Sequence, residues 1–229
     1  MPTTRRTLQF FRSALLWHRA SRVAFALGVF MAARPAQAQT AAPAAASPDK
    51  QNNHRVVDVV SFLAGGAFAL GAHESGHLVF DAIFDAGPRL EHVHFGPIPF
   101  FAITHRPDLS PRREFTVSSA GFWVQEGTNE WLLVTRPDLR HEHAPFVKGI
   151  FAFNVLTSIG YGTVAFARAG PFERDTRGMA EIGVDERAIG VVVIAPALLD
   201  AYRYFNPDSK WAKWASRAVK AGGVLLVVK

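Results

Sequence analysis

Residues 56–84 read VVDVVSFLAGGAFALGAHESGHLVFDAIF. The run exceeds the roughly 20 residues that a membrane-crossing helix needs. Inside it lies His73-Glu74-Ser75-Gly76-His77, an H-E-x-x-H pattern. On a helix, positions i and i+4 share one face, so both imidazoles can reach one metal ion. Glu74, beside the first imidazole, is placed to act as general base toward a water polarised by that ion. Phe68, Leu70, Leu78, Val79 and Phe80 surround the motif, which puts it inside protein or lipid. Two imidazoles and a carboxylate left there without partners would cost several kcal/mol. Ionisable groups at such depth usually mark function.

Working outward, two further stretches have the same character: residues 147–167 (VKGIFAFNVLTSIGYGTVAFA) and 188–205 (AIGVVVIAPALLDAYRYF). A fourth, 218–228, is only a short apolar end. Gly65, Gly66, Gly71, Gly76, Gly160 and Gly162 are small enough to let membrane helices approach closely. Between the first and second stretches, Gly and Pro punctuate short β-rich runs, including His92–Ile103 and Phe115-Thr116-Val117, which suggests hairpins or a small sheet. The predicted class is a mainly α membrane protein with about three transmembrane helices and a small β-rich segment between the first and second. A soluble α+β domain with buried core helices competes, because the mean hydropathy of +0.09 is low for a polytopic chain.

The 229 residues suffice for one ordinary domain. With 49% hydrophobic and 19% charged residues, the chain is not of a disordered class. It has no Cys, which excludes disulfide frameworks, zinc ribbons, iron–sulfur clusters and cysteine nucleophiles. A transition metal must therefore be held by the 9 His and 19 carboxylates. The net charge of +6 and pI near 10.1 would suit nucleic acid or anionic lipid. Trp211 and Trp214, interleaved with Lys210 and Lys213 at the end of an apolar stretch, read as an interfacial anchor. The lipid bilayer is thus an expected partner and nucleic acid is not. There is no phosphate-binding Gly loop and no G-x-S-x-G elbow.

Residues 1–38 have the form of a signal peptide: an Arg-rich start, an apolar run at 23–33, and Ala36-Gln37-Ala38 for cleavage. An uncleaved anchor helix is the other reading of the same pattern. Residues 39–55, opening QTAAPAAASPDKQNN, are expected to be a flexible leader. A membrane-embedded domain would follow over 56–205, then a basic and aromatic tail over 206–229. Arginines in 86–146 and lysines in the tail place both on the cytoplasmic side by the positive-inside rule. With three spans that agrees with an exported N-terminus in a bacterial inner membrane.

The apolar helix bearing Ala72-His73-Glu74-Ser75-Gly76-His77 resembles the catalytic helix of the site-2 protease family, the intramembrane zinc metalloproteases. Further features follow in the family's order. Phe95-Gly96-Pro97 lies in a β-like stretch, and Ser119-Ala120-Gly121 is similar to an Ala-Gly-Pro segment, with Phe122 in place of the Pro. Ala195-Pro196-Ala197-Leu198-Leu199-Asp200 resembles the family's Pro…Leu-Asp-Gly motif, with Ala201 where Gly is usual. The resemblance covers about residues 65–205. It implies zinc held by His73, His77 and Asp200, with Glu74 as general base in the hydrolysis of a membrane protein or peptide substrate. It also implies an Asn that helps zinc stabilise the oxyanion, for which Asn154 is the nearest candidate, and a sheet in 86–146 that pairs with an unwound substrate strand.

From the residues alone the third ligand stays open. An unpaired Asp200 in an apolar helix would be costly, yet it could pair with Arg203. Asp81, one turn after His77, suits support of an imidazole better than direct ligation. Asp58 and Asp85 read as membrane-edge residues. Two further pairs, His92/His94 and His141/His143, allow a di-iron membrane oxidase as a distant alternative. In the simpler account His141 and His143 are solvated loop residues, and His92 and His94 border the opening of the site or the lipid headgroups. A non-catalytic membrane scaffold with a structural metal, or none, is the remaining alternative.

Overall fold

The motif lies on a helix of 37 residues, Pro48–Phe84 (α1), about 55 Å long at 1.5 Å per residue. A computed structural model describes this helix and the chain beyond it, residues 48–95 and 97–228. The expected signal peptide and most of the expected leader lie outside the described residues. Residues 48–55, also assigned to the leader from sequence, form the first two turns of α1.

A hairpin follows, of β1 (Arg89–Phe95) and β2 (Ile98–Thr104). Its antiparallel register runs from Arg89↔Thr104 to Phe95↔Ile98. Then come α2 (Pro111–Thr135), α3 (Pro145–Ala167), the short α4 (Asp175–Ala180), α5 (Glu186–Phe205) and α6 (Lys210–Val228). Pro111 and Pro145 open α2 and α3, where a missing N–H costs nothing. Asp185 caps α5 by accepting from the Arg187 N–H at 2.8 Å. The described residues are mostly helical with one two-stranded sheet. Among the described residues, three helices are long and apolar enough to cross a membrane: Asn53–Phe84, Pro145–Ala167 and Glu186–Phe205.

The sheet is smaller than the sequence suggested. Phe115-Thr116-Val117, expected as a β run, lies in α2 with all three side chains buried. Their β propensity yields to burial on a helix face that Pro111 starts.

Helix directions overturn a second expectation. Gly149 meets Phe62, Gly66 meets Phe153, and the His73 ring stacks beside Tyr161, so α1 and α3 run parallel. Gly76 meets Ala120, while His77 meets Val117, so α2 runs back between them. Residues 86–146 therefore do not stay at one end. The root of the hairpin sits at the motif end, where His105 faces Asp81, and loop 136–144 sits at the other, where His143 pairs with Asp58 at 2.9 Å. Arg89, Arg106 and Arg168 stand at the first end, and Arg55, Arg140 and Lys210 at the second. Positive-inside counting consequently no longer orients the chain.

The bundle buries two apolar clusters, one around Leu132, Ile150 and Phe151 and one around Phe115, Met179 and Val193, and polar side chains beside them. α2 buries Thr116, Ser118, Ser119, Gln125, Glu126 and Asn129. The surrounding helices expose Leu63, Leu156, Val191 and Leu198, each by more than half. Apolar outer faces of this kind are tolerated better by hydrocarbon than by water. Gly65 and Gly149 let α1 and α3 cross backbone to backbone, because a Cβ on either would overlap a carbonyl of the other helix. The tail forms α6, which packs on α5 and α2 while Trp211 and Trp214 face outward.

Candidate metal centre

His73 and His77 lie one turn apart on the buried face of α1, both nearly inaccessible. The helix opposite makes room for them. A Cβ on Gly121 of α2 would overlap the His73 ring, and one on Gly76 would overlap the Ala120 carbonyl. Phe122 packs edge-on against His73 with ring centroids 5.4 Å apart. His77 Nδ1–H donates to the Val117 carbonyl at 2.8 Å. That bond fixes the tautomer and leaves the Nε2 lone pair pointing inward. The two Nε2 atoms are 3.1 Å apart.

The third donor comes from the far side of the chain. Asp175, the first residue of α4, brings Oδ2 to 3.2 Å from His73 Nε2 and 3.6 Å from His77 Nε2. Its neighbours clamp it. Arg174 donates to both Glu186 oxygens, at 2.7 Å each, and Thr176 Oγ1 donates to Glu186 Oε1 at 2.9 Å. The Tyr161 hydroxyl lies near enough to the Asp175 carboxylate to favour its charged form. Burial pushes the Asp175 carboxyl up, but the neighbouring His77 and His73 imidazoles and the Tyr161 hydroxyl outweigh it. Its pKa is held below the ordinary carboxylate value.

Three atoms that bind through lone pairs thus converge within 3.6 Å. A tetrahedral ion with bonds of about 2.0–2.1 Å spaces its donors by roughly 3.4 Å. The residues fit such an ion. Among the described residues, this is the group of three His or carboxylate donors close enough to hold one. Two imidazoles and a carboxylate suit zinc and also other first-row divalent metals. Glu74, half-buried, lies within electrostatic reach of His73, His77 and Asp175. A cavity of about 330 Å³ opens onto the group, with His77, Asp175, Thr104, His105 and Glu114 in its walls.

Comparison with protein-family models, with curated proteins and with solved structures found no match.

Asp200, expected as the third ligand, belongs to another cluster. It is fully buried and accepts from Lys220 Nζ at 2.8 Å on both oxygens, from Ser216 Oγ at 2.8 Å and from Arg203 at 3.5 Å. The cause is the antiparallel run of α5 along α3. Ile194 already meets Gly162, next to Tyr161, and Asp200 lies nearly two turns farther from the motif end. Asn154, expected beside the oxyanion, instead donates to Asn129 Oδ1 at 2.9 Å and to the Gln125 carbonyl at 3.5 Å. Asp81 does not support His77, whose Nδ1 is taken by Val117, and faces His105.

His92, His94, His141 and His143 are exposed. His141 pairs with Asp138 and His143 with Asp58, so neither pair of histidines joins the motif. Asp85 lies just past the end of α1. Sequence reasoning missed Asp175, Tyr161, Gln125 and His105. Asp175 sits in a loop of mixed charge that gives no local sign of ligation. Gln125 lies beside His73, yet neither its Nε2 nor His73 Nδ1 completes a hydrogen bond.

Proposed function

We propose that this chain is a membrane-embedded, metal-dependent peptide hydrolase acting on a membrane protein or peptide. The observation that carries the reading is the convergence of His73, His77 and Asp175, with Glu74 within electrostatic reach and with His77 and Asp175 in the wall of a cavity. His73 Nε2, His77 Nε2 and Asp175 Oδ2 would hold a divalent ion, which we take to be zinc. When bound, zinc supplies a Lewis acid that polarises a water and the scissile carbonyl. Glu74 accepts the proton of the attacking water and returns it to the leaving amine nitrogen. His77 keeps its lone pair on the site because Val117 holds its other proton. Three donors and an adjoining cavity favour catalysis over a closed structural site, which takes four protein ligands.

The reading keeps the H-E-x-x-H helix of the site-2 protease resemblance and replaces Asp200 by Asp175 as third ligand. It also keeps the sheet's role. β2 has β1 on one side only, and its end, Ile103-Thr104, lines the cavity, so an extended substrate segment can add to its free edge. We place the protein in a bacterial inner membrane, to which the N-terminal segment directs it. With that segment exported, the parallel α1 and α3 put the motif end on the cytoplasmic side.

The test is Glu74→Gln in the full chain, purified in detergent and assayed on a co-expressed transmembrane reporter. Cleavage should vanish while metal content stays at the wild-type value. Cleavage at the wild-type rate by this variant would remove Glu74 from the mechanism.

A further inference from the structure

Beside the metal pair lies a second cluster that the hydrolysis does not use. Asp81, on α1 one turn after His77, is wholly buried, and neither of its oxygens has a hydrogen-bond partner. The group that faces it is His105, whose Nδ1 lies 3.5 Å from Asp81 Oδ1 and is itself unpartnered. His105 Nε2–H donates to Glu114 Oε2 of α2 at 2.6 Å, and Ser118 donates to the other Glu114 oxygen at 2.9 Å. A buried carboxylate without hydrogen bonds is costly unless a cation faces it. His105 is the cation placed to do so.

Its position in the chain gives this cluster a purpose. His105 directly follows β2. The next residue, Arg106, donates its N–H to the Ala86 carbonyl at 3.0 Å and Nη2 to the Asp85 carbonyl at 2.5 Å. These bonds root the hairpin on the end of α1, and His105 is the side chain that ties the root to both α1 and α2. The same residue lines the cavity with His77 and Asp175.

We propose that His105 is a positioning residue, a charged peg between Asp81 and Glu114 that holds the substrate edge of β2 over the metal pair and releases it on losing its proton. The inference rests on the hydrolase reading for its purpose and on the cluster alone for its mechanics. From α1 the imidazole meets Asp81, and from α2 Glu114. Across the cavity stand His77, Asp175, Glu173 and Glu181, with Arg177 and with Arg174, which is already paired to Glu186. The surroundings favour a cation. The Glu114 hydrogen bond, with the Glu114 and Asp81 charges, outweighs burial and raises the His105 pKa above the ordinary imidazole value. A raised pKa means that the tie is complete below about pH 6.5 and is lost as pH rises through the higher folded value.

Hydrogen exchange of the full chain in detergent, without metal or substrate, tests this. After correction for intrinsic rates, amides of residues 98–104 should lose about ten-fold or more of their protection between about pH 5.5 and 8.5. Amides in the middle of α2 should not change. His105→Gln should give weak hairpin protection at both pH values. Glu114→Gln, which keeps the imidazole but weakens its hold on a proton, should move the loss to lower pH. Hairpin protection that ignores pH in the wild type, or that survives His105→Gln, overturns the proposal. Cleavage assays separate it from the hydrolase reading: His105→Gln should raise KM at least ~10-fold and leave kcat and metal content unchanged.

Discussion

Asp175 Oδ2 lies 3.2 Å from His73 Nε2, although 102 positions separate the two residues. The contact joins the short helix α4 to the motif helix and completes a donor triangle that no local sequence pattern announces. If the triangle holds a metal, replacing Asp175 by Asn removes one of three ligands. Metal affinity should fall by at least ~100-fold, measured by titration against a chromophoric chelator. Asp200→Asn should leave metal stoichiometry unchanged, because that carboxylate is bound to Lys220 and Ser216. The opposite ranking of the two variants would return the third ligand to Asp200.

Glu186 reaches the triangle at one remove. It binds Arg174 through both oxygens and accepts from Thr176, so it grips the residues on either side of Asp175. Glu186→Ala should loosen that carboxylate without removing it. Metal affinity should drop about 10–100-fold, the range seen for supporting partners, while the helical circular dichroism signal stays intact. An unchanged affinity would mean that α4 is held in place by other contacts.

Tyr161 stands beside two of the three donors: its ring stacks on His73 with centroids 6.1 Å apart, and its hydroxyl helps hold the Asp175 carboxylate in its charged form. Tyr161→Phe keeps the ring and removes the hydroxyl. We expect weaker metal binding by about 10-fold with unchanged stability. A variant that binds metal as tightly as the wild type would reduce Tyr161 to a packing residue.

The sequence announced the motif helix and the three apolar helices because both signals are local: a four-residue spacing, and stretches of apolar residues. It hid α2. Gln125, Glu126 and Asn129 look like loop or surface residues, yet they form the polar centre of a bundle whose apolar members shield them. Composition cannot tell a polar helix sheathed by its neighbours from one in water. Missing α2 reversed the direction assigned to α3, and with it the side on which residues 168–187 lie. Asp200 was expected as third ligand from its place in the Pro…Leu-Asp-Gly resemblance and its apolar helix, whereas Asp175, in a loop of mixed charge, carried no such sign. His105 was passed over for a related reason. Its importance comes from Asp81 and Glu114, on two different helices, and no spacing rule links those three residues.

The Asp200 cluster makes its own prediction. Lys220 binds both oxygens of the fully buried Asp200 and lies 3.5 Å from Glu126 Oε2. Lys220→Met leaves that carboxylate facing Arg203 only at 3.5 Å and Ser216 at 2.8 Å. Removing one partner of a buried ion pair costs about 3–5 kcal/mol, because the remaining charge loses compensation. Unfolding by denaturant in detergent should show a loss of that size. Adding Asp200→Asn to Lys220→Met should restore much of it, since a neutral amide needs no counter-charge. Metal affinity of the folded fraction should not move, as Asp200 lies nearly two turns along α5 beyond Ile194, which meets Gly162 next to Tyr161. If Lys220→Met changes metal binding but not stability, then α6 is coupled to the metal centre and the two clusters act as one.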